Sequence, residues 1–145
     1  MKEIKYVDCD TALRRRVGET IGEMAERHIR LTDGFAFVAL EDEKPVGLIA
    51  VYRSSLPPPL SETDEGFINI IEVSKDHRRR GIGRRLVEMS IERCRSQGLC
   101  QLRAWSSEDK TEAIPMWKAL RFALCPATEH PRGIEVKGYF VALRL

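Results

Sequence analysis

No stretch of this chain stays apolar for anything near the ~20 residues that a membrane-spanning helix needs. The first residues, Met1-Lys2-Glu3-Ile4-Lys5, carry charge where a secretory leader would have an apolar run. Cysteine is sparse and unpatterned: Cys9, Cys94, Cys100 and Cys125 include no CxxC pair, so no disulfide framework is expected. His28, His77 and His130 are scattered, which leaves no zinc-ligand spacing. Charge of one sign is lacking too. The 24 Lys+Arg against 22 Asp+Glu leave a net +2, too little for a whole-protein field that attracts nucleic acid. With 10 glycines and 7 prolines, collagen-like and low-complexity chains are excluded as well. These absences lead us to expect a soluble, cytoplasmic domain that uses no metal, no membrane and no specific nucleic acid.

What is present is ordinary globular material, 43% hydrophobic and 32% charged over 145 residues. That length suits one domain, residues 1–145, with one core. Periodicity predicts strands at 3–7, 35–40, 46–52, 67–73, 101–106, 122–125 and 135–145. A helix at 10–30 breaks near Gly18 or Gly22 and gathers Ile21, Met24, Ala25, His28 and Ile29 on one face. The turn Asp42-Glu43-Lys44-Pro45 closes a hairpin. Residues 54–66, with Pro57-Pro58-Pro59 and the acids Glu62, Asp64 and Glu65, read as a loop. The run at 67–73 reads as a strand buried on both faces. A helix at 82–96 stops at Gly98. Another spans 109–120, with Ser107 or Asp109 as cap. The order β-αα-β-β-β-α-β-α-β-β is that of a mixed α/β domain.

One segment carries chemistry. Val73-Ser74-Lys75-Asp76-His77-Arg78-Arg79-Arg80-Gly81-Ile82-Gly83-Arg84-Arg85-Leu86 joins a strand to a helix start. Its glycines permit a tight turn with uncovered amides. The helix N-terminus adds unpaired donors and about half a positive charge. Five arginines lie within eight residues, so the place suits a phosphate or pyrophosphate. A dinucleotide fingerprint would need a third glycine where Leu86 stands, and the Walker Gly-Lys-Ser/Thr is absent. What fits is Arg/Gln-x-x-Gly-x-Gly/Ala, present as Arg78-Arg79-Arg80-Gly81-Ile82-Gly83. The plainer alternatives are a solvated helix start or a patch that touches nucleic acid.

With this motif in its strand-to-helix setting, the chain resembles the GNAT superfamily of acyl-CoA-dependent N-acyltransferases. Ala113-Ile114-Pro115-Met116-Trp117-Lys118-Ala119-Leu120-Arg121-Phe122 resembles the family's second signature, Ala-Ile-x-x-Tyr-x-x-x-Gly-Phe. The resemblance implies a single-domain fold with a mostly antiparallel central sheet flanked by helices. It implies a bulge in the fourth strand and a splay between strands 4 and 5. It also implies acetyl-CoA as cosubstrate, bound by the backbone of Ile71 and Val73 and by the segment Arg78, Arg79, Arg80, Gly81, Ile82, Gly83 and Arg84. The amide of Ile71 would be the oxyanion donor, and Glu72 or Glu65 the base for an amine acceptor of unknown identity. The family's tyrosine falls on Trp117, whose indole does not titrate usefully; Trp117 is then a core or cofactor-packing aromatic. An asparagine frequent in the family falls on Lys110, which joins the expected cofactor residues. The rival readings are a non-catalytic CoA-binding module and a nucleic-acid-binding domain. Monomer and homodimer are both left open.

Overall fold

The computed structural model describes residues 2–145; Met1 lies outside the described residues. The element order is the expected one. Strand β1 (Lys5–Asp8) is followed by α1 (Thr11–Thr20), α2 (Glu23–His28), β2 (Gly34–Glu41), β3 (Lys44–Ser55) and β4 (Asp64–Val73). Then come α3 (Ile82–Ser96), β5 (Gln101–Ser107), α4 (Ile114–Ala119), β6 (Ala123–Glu129) and β7 (Val136–Arg144). The strands form one sheet in the order β1-β2-β3-β4-β5-β7-β6. All pairs are antiparallel except β4 with β5. No helix among the described residues is long and apolar enough to cross a membrane.

Strand alternation divides the core between two faces. Phe35, Phe37, Ile49, Val51, Ile68 and Leu102 pack on α3 and α4. Ala36, Val38, Leu48 and Ala50 pack on α1 and α2. Helix α1 is capped by Asp10, whose carboxylate accepts from the Leu13 amide at 2.8 Å. Leu13 and Val17, one turn apart, are its buried face. Gly22, with φ of 152°, breaks the helix and resets its phase. Met24 consequently leaves the apolar face expected of it and is 70% exposed.

Other boundaries differ for local reasons. The hairpin turn shortens to Asp42 and Glu43, both at positive φ, and β3 already begins at Lys44. Between β3 and β4 the connection is 56–63 rather than 54–66, because Ser54, Ser55, Asp64, Glu65 and Gly66 all join the ladder. Helix α4 starts at Ile114 with Pro115 in its first turn. Ser107 and Asp109 bond each other rather than capping it.

Two irregularities shape the middle of the sheet. Ala50 faces Ile70 while Val51 faces Ile68, which leaves Asn69 as the extra residue of a bulge in β4. Beyond it the strand is not buried on both faces as expected: Ile70, Ile71 and Val73 are half-buried and Glu72 is exposed. The cause lies in β5, which pairs with β4 only at Gly66↔Leu102 and Phe67↔Arg103. Past that point the two strands part, and a wedge opens toward the N-terminus of α3.

Candidate active site

The wedge has two edges and a mouth. On the β4 edge, the Ser74 amide donates to the Val46 carbonyl of β3 at 2.8 Å. By the alternation of an antiparallel ladder, Glu72 shares that orientation, whereas the backbone groups of Ile71 and Val73 point the other way, into the gap. The sequence singled out these two backbones. Among the described residues, Val73 has one partner on this side: its carbonyl accepts from Arg78 Nε at 3.2 Å.

At the mouth stands the start of α3. Arg79 and Gly81 both take positive φ, 62° and 78°, and curl the chain around the helix end. Among the described residues no side chain caps it. The first bond of the helix runs from the Arg85 amide to the Gly81 carbonyl. The amides of Ile82, Gly83 and Arg84 are therefore left as outward donors. A Cβ on Gly83 would lie 3.8 Å from Val73 Cγ2 and 3.9 Å from Met116 Sδ. Gly83 thus looks into the space between β4 and α4. Uncapped amides, a positive helix end and exposed arginines suit a diphosphate, and the unpaired strand edge suits an amide-bearing arm.

The arginines are not equivalent. Arg78, Arg79, Arg84 and Arg85 are exposed. Arg80 turns back instead: its guanidinium meets Glu41 at 3.2 Å and the Lys2 carbonyl at 3.3 Å. Glu41 also meets His77 Nε2 at 3.1 Å, so one carboxylate at the end of β2 fastens both sides of the cradle. What Arg80 offers a phosphate is its amide. The His77 bond first, then Arg80, hold the Glu41 carboxyl below its ordinary pKa. A lowered carboxylate pKa stabilises the fold fully above the ordinary value, and that stabilisation fades as pH falls through the lowered one. Glu41→Gln is expected to lower the neutral-pH melting temperature by a few degrees and to flatten the acid limb of a melting-temperature-against-pH curve. An unchanged acid limb would remove Glu41 from this role.

The two candidate bases part company. Glu72 is exposed, lies on the α1/α2 face of β4 and has no ion-pair partner among the described residues. Glu65 is not the loop-edge carboxylate the sequence suggested. It sits in β4, 2% exposed, where Arg103 Nε and Nη2 donate to it at 2.9 and 2.7 Å and Gln101 Nε2 at 2.8 Å. Both its oxygens are occupied, so it serves as a clamp between β4 and β5 just where their pairing ends. Sequence reasoning missed Arg103 as that partner. It also missed Asn69, whose side-chain amide donates to the His28 carbonyl at 2.8 Å and ties the bulge to α2.

Trp117 is 1% exposed, edge-on to Phe122 at 4.8 Å; it lies in the core shared by α3 and α4. Lys110 is exposed in the connection to α4, its carbonyl accepting from the Tyr139 hydroxyl at 2.6 Å. Burial pushes the Cys9 and Cys94 thiols up to about 11, so neither offers a thiolate at neutral pH. No cluster of three or more His, Cys, Asp or Glu side chains placed to hold a metal occurs among the described residues.

The family model of the acetyltransferase (GNAT) family matches residues 6–122. The chain belongs to the GNAT acetyltransferase family. No curated protein sequence matches it. Similar solved GNAT-like structures include Arabidopsis thaliana NAA60 in complex with acetyl-CoA, at 12% identity, TM-score 0.75, and 99% coverage of both chains. The NatC complex bound to Gag peptide and CoA is similar at 14% identity, TM-score 0.75, again over 99% of each chain. The ribosomal-protein-S18-alanine N-acetyltransferase from Escherichia coli is similar at 16% identity and TM-score 0.73, covering 98% of this chain and 94% of that one. At such identities the likeness speaks for the GNAT fold; the wedge, bulge and uncapped α3 are read from this chain's own geometry.

Proposed function

We propose that this protein transfers the acetyl group of acetyl-CoA to a primary amine by direct attack. The observation that carries the reading is the alignment of a backbone edge, Ile71 and Val73, with an uncapped, arginine-flanked helix end. The cosubstrate's diphosphate would lie on the amides of Arg79 to Arg84, with Arg78 and Arg84 neutralising charge. Its amide-bearing arm would pair with Ile71 and Val73, and the Ile71 amide would donate to the thioester oxygen as charge develops there. Lys110 and Trp117 belong to this assignment as flanking positions, Trp117 from within the core.

An alkylammonium, with a pKa of about 10.4, must lose a proton before it can attack. Glu72, directly or through a water, accepts it. The amine nitrogen then forms the bond to the acetyl carbon, the carbon–sulfur bond breaks, and CoA departs as thiolate. The remaining ammonium proton passes to solvent or to that thiolate to leave the neutral amide. A thiol pKa of roughly 8.5 makes this departure workable near neutral pH without full protonation. The lack of a tyrosine at Trp117 is therefore tolerable. Trp117→Phe is expected to keep turnover within about tenfold of wild type, since acid–base help worth about 10²–10⁴-fold does not reside there. Steady-state thiol release beside acetyl-CoA affinity checks this, and a loss of several hundredfold at unchanged affinity would give the indole a catalytic part.

The reading as a whole is tested in two steps. Acetyl-CoA should raise the melting temperature saturably, as a ligand of the native state does, and free thiol should then appear in proportion to added amine. The amines to screen are small alkylamines, polyamines, aminoglycosides and peptides with free N-termini. Stabilisation without thiol release from any of them would favour a CoA-binding module that does not turn over.

A further inference from the structure

The cradle lies on the α3 side of the sheet, and the opposite side of the wedge is built differently. There α1 packs on β3 and α2 on β4, but no helix is laid along that face of β5 and β7 among the described residues. Leu102 and Ala104 belong to the α3 core, so Arg103 and Trp105 project from β5 onto the uncovered face. Phe140 of β7 stands directly beside Trp105 in register. The indole lies over Gly138, where a Cβ would come within 2.7 Å of its Cζ2. Arg103 is locked between the Phe67 and Phe140 rings, 4.9 Å from each, with its charge answered by Glu65. The floor is therefore aromatic at its centre, with the Arg103 charge answered there and Glu129 of β6 standing farther out on the same face.

Its height matters. Trp105 lies two residues beyond the last parallel pair, Phe67↔Arg103, or about 7 Å along the strand. Ile70, after allowance for the bulge residue Asn69, reaches the same height on the facing edge. The gap-facing amide of Ile71 follows one residue later. Glu72, exposed and without an ion-pair partner among the described residues, is the next side chain of β4 on this face.

We propose that Trp105 is the platform for the acceptor, and that the acceptor is a primary amine carried on an apolar or aromatic body. The inference rests on the acetyl-transfer reading above. A body stacked on the indole, with the edge of Phe140 beside it, leaves its ammonium end near the Ile71 amide, with Glu72 supplying the opposite charge. A polyamine would need several free carboxylates on this floor, and an aminoglycoside would need hydrogen-bonding groups along it. Beside Trp105 and Phe140 the floor supplies neither; its further carboxylate, Glu129, lies two pairs along β6 from Ala127 and Gly138, opposite Val136.

The test is steady-state thiol release with acetyl-CoA and three probes: phenethylamine, spermine and kanamycin. Phenethylamine should be favoured in kcat/KM by at least tenfold. Trp105→Ala should cost phenethylamine tenfold or more, mainly through KM, while stabilisation by acetyl-CoA stays as in wild type. Trp105→Phe, which keeps an aromatic face, should restore most of the loss, which a merely misfolded variant would not do. With CoA present, phenethylamine should also quench wild-type tryptophan fluorescence, and that quench should vanish in Trp105→Phe. Preference for spermine or kanamycin, a wild-type KM in Trp105→Ala, or the same quench in both proteins would overturn the platform while leaving acetyl transfer standing. Absence of any stabilisation of the wild type by acetyl-CoA would overturn the transfer reading, and the platform with it.

Discussion

Gly83→Glu is expected to abolish stabilisation by acetyl-CoA while making the free protein slightly more stable. The two effects have opposite signs because they come from different properties of one position. Gly83 lies in the first turn of α3, where a helix-forming residue replacing glycine gains up to about 1 kcal/mol. An acid in a first turn also meets the helix dipole favourably. A Cβ there makes ordinary contacts, 3.8 Å to Val73 and 3.9 Å to Met116, so the fold accepts the substitution. The longer side chain, however, grows into the space in front of the Ile82, Gly83 and Arg84 amides and places a carboxylate where the proposed diphosphate must lie. At about 100 times its dissociation constant, a ligand adds about 2.7 kcal/mol, equivalent to roughly 5–11 °C for a domain of this size. Wild type should show a shift of that order and Gly83→Glu none. A folded Gly83→Glu protein with an undiminished shift would remove the diphosphate from this helix end.

The cradle was legible in the sequence because its determinants are local. An apolar run ending at Val73, glycines at positions 81 and 83, and a 3.6-residue apolar period from Ile82 lie within a few turns of chain. Helix α3 accordingly has the predicted bounds, Ile82–Ser96. The clamp was not legible. Glu65 and Arg103 are 38 residues apart, and Asp64-Glu65-Gly66 after a proline-rich stretch carries the composition of a loop. Only the register of β4 against β5 turns that acid into a buried partner. Asn69 was hidden likewise, since one polar residue did not interrupt the apolar run 67–73, whereas here it is the bulge residue bonded to α2. At α2 the miss has a geometric cause: Gly22 breaks the helical phase, and Met24 turns outward with it.

The second large effect belongs to the clamp. Arg103→Met keeps an apolar side chain of similar reach but removes the guanidinium that lies over the Phe67 and Phe140 rings and meets both oxygens of Glu65. The carboxylate, 2% exposed, is then left with the single bond from Gln101. Breaking a buried pair by removing one partner typically costs about 3–5 kcal/mol. At about 2–4 °C per kcal/mol for a domain of this size, the melting temperature should fall by about 10 °C. Arg103→Lys should lie between, because an ammonium cannot reproduce the two-pronged contact. Adding Glu65→Gln to Arg103→Met removes the stranded charge and should recover more than half of the loss. That recovery separates the cost of a buried carboxylate from the cost of lost packing. The pair also fastens β4 to β5 at the two residue pairs they share, so Arg103→Met should loosen the apex of the wedge and weaken acetyl-CoA binding, although neither residue reaches the cradle. Thermal melts of wild type and the three variants, with and without acetyl-CoA, read both effects. A fall of only 1–2 °C for Arg103→Met, with no recovery in the double variant, would mean that Glu65 finds water when its partner goes and that the wedge holds its shape without the clamp.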